Sequence, residues 1–118
     1  MPLIGVGIDV AHMERLARVV ARRRRVLTLV CAPEEAPESA DALRAVRLWT
    51  GKEAIAKSLG TGLWQEGVNW SDIRILPDGQ VKLVGRAAEI CRGHISLDHS
   101  QMGDHMLAVA FHWSAEAT

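Results

Sequence analysis

Two periods of apolar residues organise this chain. Leu3 to Ile8 is a short, β-branched-rich run with Gly5 and Gly7 interleaved, which predicts a buried strand with Asp9 at its C-terminal end. From His12 to about Arg23 the period changes: Met13, Leu16, Val19 and Val20 recur at spacings of three and four, the mark of an amphipathic helix. Residues 31–40 hold Pro33 and Pro37 and predict a loop, with Ser39 or Asp41 placed to cap a second helix. This second helix is long, from about Asp41 to Leu59, and is stopped by Gly60. Leu48, Ile55 and Leu59 lie along one side of it, whereas Glu53 and Lys57, four apart, share another face. Ile73–Leu76 and Val81–Val84 flank Pro77-Asp78-Gly79 and predict a hairpin. A short helix over Arg86–Arg92 and strands over 95–100 and 105–113 complete the chain. In the last strand His105, Leu107, Val109, Phe111 and Trp113 share one side, which their bulk predicts as the core face. The order β-α-α-β-β-α-β-β predicts an α+β fold, a single domain over residues 1–118 with a mainly antiparallel sheet and one long helix.

Composition bounds what such a domain can do. The chain has 118 residues, 48% of them hydrophobic and 24% charged, so it has one core's worth of apolar side chains. Surface scaling gives about 6,300 Å² exposed when folded, with little room for a deep private pocket. A site on such a domain is shallow or shared between subunits. The 14 basic and 14 acidic residues cancel, so no global field draws in nucleic acid or a membrane surface. No run approaches the roughly 18–20 apolar residues of a membrane span. Cys31 and Cys91 have no CxxC spacing and read as reduced thiols, which points to the cytoplasm.

Chemistry-bearing residues are few. Asp9 at an apolar strand end is a cap or a ligand, because a charge there is costly unless paired or exposed. Glu53 and Lys57 are a solvated pair or part of a phosphate site. Together Asp9 and Glu53 would offer the hard oxygens that Mg²⁺ takes alongside waters and substrate phosphates. His94, His99, His105 and His112 lack the spacing of a helical zinc motif. His99, at a strand end, contacts an anion or merely finishes the strand. Gly60-Thr61-Gly62 lacks the Lys-Ser/Thr of a P-loop and reads as a helix stop. Arg22 to Arg25 is a basic run at a helix end, where positive charge complements the dipole or docks an acidic partner.

Three blocks, in order, carry a resemblance that spans nearly the whole chain. They are Gly5-Val6-Gly7-Ile8-Asp9-Val10 followed by Glu14-Arg15, then Trp49-Thr50-Gly51-Lys52-Glu53-Ala54-Ile55-Ala56-Lys57-Ser58-Leu59-Gly60-Thr61-Gly62, then Ile95-Ser96-Leu97-Asp98-His99-Ser100. The chain resembles the small 4′-phosphopantetheinyl transferases of the holo-acyl carrier protein synthase type. The resemblance implies Mg²⁺-assisted transfer of the phosphopantetheine arm of coenzyme A to a serine of an acidic acyl carrier protein, with release of 3′,5′-ADP. It implies Asp9 and Glu53 as metal ligands and Glu53 and Lys57 as catalytic residues. Lys52, Lys57, Gly60, Gly62, His99 and Ser100 would bind the cofactor. Arg15 and Arg22 would face the carrier, with the rest of the arginine run as further docking charges. It also implies a homotrimer with active sites between subunits.

Departures from the family pattern are specific. Leu48 stands where the family has an arginine, with Arg44 and Arg47 nearby but out of register. The 31–41 loop is proline-rich and atypical. Trp49 is similar to the longer, pseudo-duplicated branch of the superfamily, but Ala11 stands where that branch has a third acidic ligand. Leu48 and the loop keep a second reading open: a relative that binds carrier proteins without catalysis.

Overall fold

The first strand outlasts its apolar run. In the computed structural model, which describes residues 2–60 and 67–116, β1 covers Leu3–His12, so Asp9 stands inside the strand rather than at its end. Helix α1 (Met13–Arg22) follows, and the chain breaks at Arg23 before a second helix, α2 (Arg24–Val30). The 31–40 segment is two 3-10 turns, Pro33–Glu35 and Pro37–Ser39. Then come the long helix α3 (Ala42–Ser58), the β2 (Ile73–Ile75) and β3 (Val81–Leu83) hairpin, α4 (Gly85–Ile90), β4 (Gly93–Met102) and β5 (His105–Ser114). Strands β1, β5 and β4 form an antiparallel sheet in that order, and β2–β3 is a separate ribbon. The α+β expectation, with its long helix, holds.

Helix α3 is the centre of packing. Asp41 is its cap, the side chain accepting from the Arg44 amide at 2.8 Å. Leu48 and Ile55 are fully buried, and Gly60 follows the helix at φ +81°, a backbone geometry that glycine adopts without strain. The inner face of the sheet packs on this helix, and it is made of small residues. Gly7 pairs with Ala110 and Asp9 with Ala108 across β1 and β5. A Cβ on Gly7 would lie 1.8 Å from the Ala54 carbonyl oxygen, and one on Gly5 would lie 2.0 Å from that of Ser58. Strand and helix therefore meet backbone to backbone.

This contact reverses the expected orientation of the last strand. Met106, Ala108, Ala110, His112 and Ser114 are buried against α3, while Leu107, Val109, Phe111 and Trp113 stand partly exposed on the other face and His105 is exposed. Bulk predicted the wrong side, because the close approach of α3 selects alanine over larger residues. The outer face remains apolar: Val6, Ile8 and Val10 of β1 are each about half exposed beside Phe111, Val109 and Leu107.

The proline-rich segment is ordered by one buried carboxylate. Glu35 accepts from the Ala32 amide at 2.7 Å, the Ile75 amide at 2.8 Å and Lys52 Nζ at 2.7 Å. Lys52 also donates to the Trp70 and Ile73 carbonyls. Burial holds the Lys52 ammonium below its ordinary pKa, an effect partly offset by Glu35. The same burial, next to this pair, pushes the Cys31 thiol up to about 12, which leaves it unreactive.

Because the Gly7 contact is with main chain, which cannot rotate away, Gly7→Ala should cost about 3 kcal/mol or more. Denaturant unfolding measures this, and a loss under 1 kcal/mol would show that the strand can lift off the helix freely.

Candidate functional site

The glycine contact determines which side chains meet. Gly5, Gly7 and Asp9 alternate onto the inner face of β1, so the strand that touches α3 at Gly7 presents Asp9 to it one step later. Lys57 reaches from α3 to that strand, donating to the Ile8 carbonyl at 3.0 Å and lying 3.4 Å from Asp9 Oδ1. Glu53, one turn earlier, is half-buried, and its carboxyl is raised above the ordinary 4.5 by burial and then by the negative charge of Asp9. Asp9 is raised above 3.8 by its own burial, with Lys57 pulling the other way. The structure thus brings together Asp9, Glu53 and Lys57.

His99 occupies the same level of the sheet. Asp9 pairs with Ala108, and Ala108 pairs with His99, so the two polar groups flank one alanine at about 10 Å by strand spacing. His99 Nε2 lies 3.1 Å from the Arg47 carbonyl oxygen and 3.3 Å from Thr50 Oγ1. Burial lowers its pKa, so the ring favours the neutral form. Gly51 leaves room on this side of α3: a Cβ there would lie 2.5 Å from Ile75 Cδ1, 3.1 Å from Leu97 Cδ2 and 3.3 Å from His99 Cε1. A glycine inside a helix is a sequence signal of close approach, although it does not name the neighbour.

Two grooves run away from this row. One, of about 440 Å³, is bounded by Arg44, Arg47, His99 and the Pro77-Asp78-Gly79 turn. Arg44 is tied into its wall, donating to the Ile75 carbonyl at 2.5 Å and the Glu35 carbonyl at 3.2 Å, while Arg47 is exposed. The other, of about 280 Å³, is lined by Lys57, Gly60, Arg92 and His112. Gly60 therefore shares a groove with Lys57, whereas Gly62 lies outside the described residues.

Other expected positions are elsewhere. Lys52 does not reach a cofactor: its ammonium is fully buried against Glu35, because its side of α3 faces the loop and the hairpin. Ser100 alternates onto the outer sheet face opposite Leu107, away from His99. Arg15 and Arg22 are exposed at opposite ends of α1 and, seven residues apart, fall on one side of it. Arg24 is withdrawn from docking, since its guanidinium donates to the Pro37, Glu38 and Ala40 carbonyls.

The donor set suits a hard divalent cation. Two half-buried carboxylates repel each other with one ammonium beside them, and Mg²⁺ is held by one or two carboxylates plus water and phosphate oxygens. Among the described residues no cluster of three or more His, Cys, Asp or Glu forms, so such an ion would take its remaining ligands from outside the protein.

Comparison with known proteins gives the relatives of the chain. Residues 5–110 match the 4′-phosphopantetheinyl transferase superfamily. A holo-[acyl-carrier-protein] synthase of Exiguobacterium sp. is 33% identical over 104 residues, 84% of each chain. One of Cereibacter sphaeroides is 34% identical over 124 residues, covering 92% of this chain and 90% of that one. The crystal structure of holo-ACP-synthase from Plasmodium yoelii shares the fold, with a TM-score of 0.77 at 24% identity over 98% of each chain. So does the Helicobacter pylori holo-[acyl-carrier-protein] synthase in complex with coenzyme A, at 0.74 and 22% identity over 89% of this chain and 96% of that one.

A raised carboxyl pKa has a definite sign in stability. The unfolded chain gives up these protons at lower pH than the folded chain, so the fold weakens as pH rises from the ordinary carboxyl values through the raised ones. In chelator at neutral pH, Glu53→Gln is expected to melt at or above the wild-type temperature, with less loss of stability on going from acid to neutral pH. A clearly lower melting temperature would mean that the Glu53 carboxylate supports the fold instead of being held against it.

Proposed function

The chain belongs to the 4′-phosphopantetheinyl transferase superfamily, and on that basis we propose that it transfers the 4′-phosphopantetheine arm of coenzyme A to a serine of an apo-acyl carrier protein. The serine oxygen forms a bond to the phosphorus that bears the pantetheine. The pyrophosphate P–O bond breaks, and 3′,5′-ADP leaves with the bridging oxygen. The observation that carries this reading is the juxtaposition of Asp9, Glu53 and Lys57 on the two backbones that touch at Gly7.

Each residue has a task in that reaction. Asp9 and Glu53 hold Mg²⁺, which supplies charge neutralisation on the pyrophosphate when bound. Glu53, whose carboxyl pKa is raised by burial and then by Asp9, is suited to accept the serine proton, directly or through a water. Lys57 places a positive charge where the departing phosphate gains negative charge. Arg47 and His99 receive the phosphate-bearing nucleotide end in their groove, with Arg47 standing in for the arginine that Leu48 replaces. Leu48 is fully buried and has no route to that groove. Gly60, at the mouth of the second groove, leaves backbone accessible to the substrate's other end. Arg15 and Arg22 meet the acidic carrier.

The outer sheet face supports self-association, and the family resemblance makes the assembly a homotrimer. Val6, Ile8 and Val10 continue into Leu107, Val109, Phe111 and Trp113, an apolar surface of a kind that monomers rarely leave uncovered. Among the described residues no helix is long and apolar enough to cross a membrane. With Cys31 and Cys91 both free thiols, we place the protein in the cytoplasm. Export or membrane attachment in cell fractionation would refute this.

Two measurements test these assignments. Apo-carrier incubated with coenzyme A and Mg²⁺ should gain the mass of one phosphopantetheine. Chelator should abolish this, and Glu53→Gln should lower kcat about a hundredfold or more. Binding of carrier without any mass gain, over a panel of apo-carriers, would instead establish a non-catalytic relative. Sedimentation equilibrium should give three chain masses for the wild type and a smaller species for Ile8→Glu; a wild-type monomer would refute the trimer.

A further inference from the structure

A cluster outside the proposed centre ties the β4–β5 turn to the start of α1. His12 is the N-cap of α1, and its Nδ1 accepts from the Arg15 amide at 3.2 Å. Its Nε2 faces Asp104 Oδ2 at 3.1 Å, and the other carboxylate oxygen is held by His105 Nδ1 at 2.8 Å. The two rings meet edge to face with centroids 5.3 Å apart, and the Met13 amide donates to the Asp104 carbonyl at 2.8 Å.

Histidine is an unusual cap, and it can do the job in one state only. The first turn of a helix has amides without intrahelical partners, which Ser, Thr, Asp or Asn usually satisfy. A neutral imidazole has one N–H and one lone pair, so Nδ1 can accept from Arg15 only when the proton is on Nε2. A carboxylate opposite Nε2 selects that tautomer. His105, in turn, orients the carboxylate. Attraction to an acidic carrier does not account for Asp104, which would repel such a partner at the end of α1 that carries Arg15.

We infer that Asp104 is a positioning residue for carrier recognition: it sets the tautomer of His12, His12 caps α1, and the capped turn holds Arg15 where the carrier docks. This rests on the reading of Arg15 as carrier-facing. Asp104 lines neither groove and lies outside the Asp9, Glu53 and Lys57 group, so its effect belongs in the KM for carrier rather than in kcat.

The test is a pair of backgrounds. Asp104→Ala should speed exchange of the Arg15 amide and raise the carrier KM about three- to tenfold, the span expected for a lost cap. The coenzyme A KM and kcat should stay within twofold of wild type. His12→Ser supplies a cap that needs no tautomer, so it should behave as wild type, and adding Asp104→Ala to it should change nothing. Nitrogen chemical shifts should show His12 protonated at Nε2 in the wild type and mixed in Asp104→Ala. An equal effect of Asp104→Ala in both backgrounds, unchanged exchange at Arg15, or a lowered carrier KM overturns the inference. Faster exchange with an unchanged carrier KM also overturns it. In that case Arg15→Ala separates the two ideas: a raised carrier KM leaves Arg15 as the docking residue, and an unchanged one removes the docking reading as well.

Discussion

The place where a Cβ would stand on Gly7 is filled by the carbonyl of Ala54, and most of the architecture depends on that. Without the contact, α3 would sit at ordinary side-chain distance from β1, and Lys57 would have farther to reach to the Ile8 carbonyl it now meets at 3.0 Å. The alanines at 108 and 110 extend the same requirement onto β5, and Gly51 extends it toward β4. Small residues bring three strands close to one helix, and the polar groups that interrupt them, Asp9 and His99 on the sheet and Glu53 and Lys57 on the helix, gather around that contact. The pattern opposes the usual preference for large side chains in a core, and it exchanges some apolar burial for a dense row of functional groups.

Two charged constellations divide stability from chemistry. Glu35 and Lys52 are fully buried, and their polar atoms are matched by main-chain groups of Ala32, Trp70 and β2. Such a pair gives little net stability over apolar residues, yet losing one member leaves a buried charge unpaired. Here it fixes the proline-rich loop and the hairpin to one face of α3. Glu53, the very next residue, is turned about 100° round the helix, into a half-buried site where its charge is resisted. One helix therefore carries an ammonium matched by a buried carboxylate and, turned from it, a half-buried carboxylate whose charge is resisted.

Much of this was legible from residue patterns, with instructive exceptions. Helix α3 and its Gly60 stop were readable from periodicity and turn chemistry, with Asp41 as one of two candidate caps, and so was the hairpin at Pro77-Asp78-Gly79. The α+β order was readable for the same reason. The core face of β5 was not, since both faces are apolar and only the glycines of β1 reveal that α3 demands alanines. Lys52 was misplaced because adjacent helical residues differ by about 100°, so its neighbour Glu53 says nothing about where an ammonium points. The break at Arg23 and the use of Arg24 as a clamp on residues 37–40 were hidden inside a run of four identical side chains. The His12–Asp104 contact joins residues far apart in sequence, and no local pattern marks it.

Locating the metal is the most direct test of a centre built on the β1–α3 contact. Crystals grown with Mn²⁺ in place of Mg²⁺, together with coenzyme A, would show the ion by its anomalous scattering. A single peak is predicted, within coordinating distance of both the Asp9 and the Glu53 carboxylates. A peak held by other side chains, or an ion that leaves Glu53 uncoordinated, would contradict that centre.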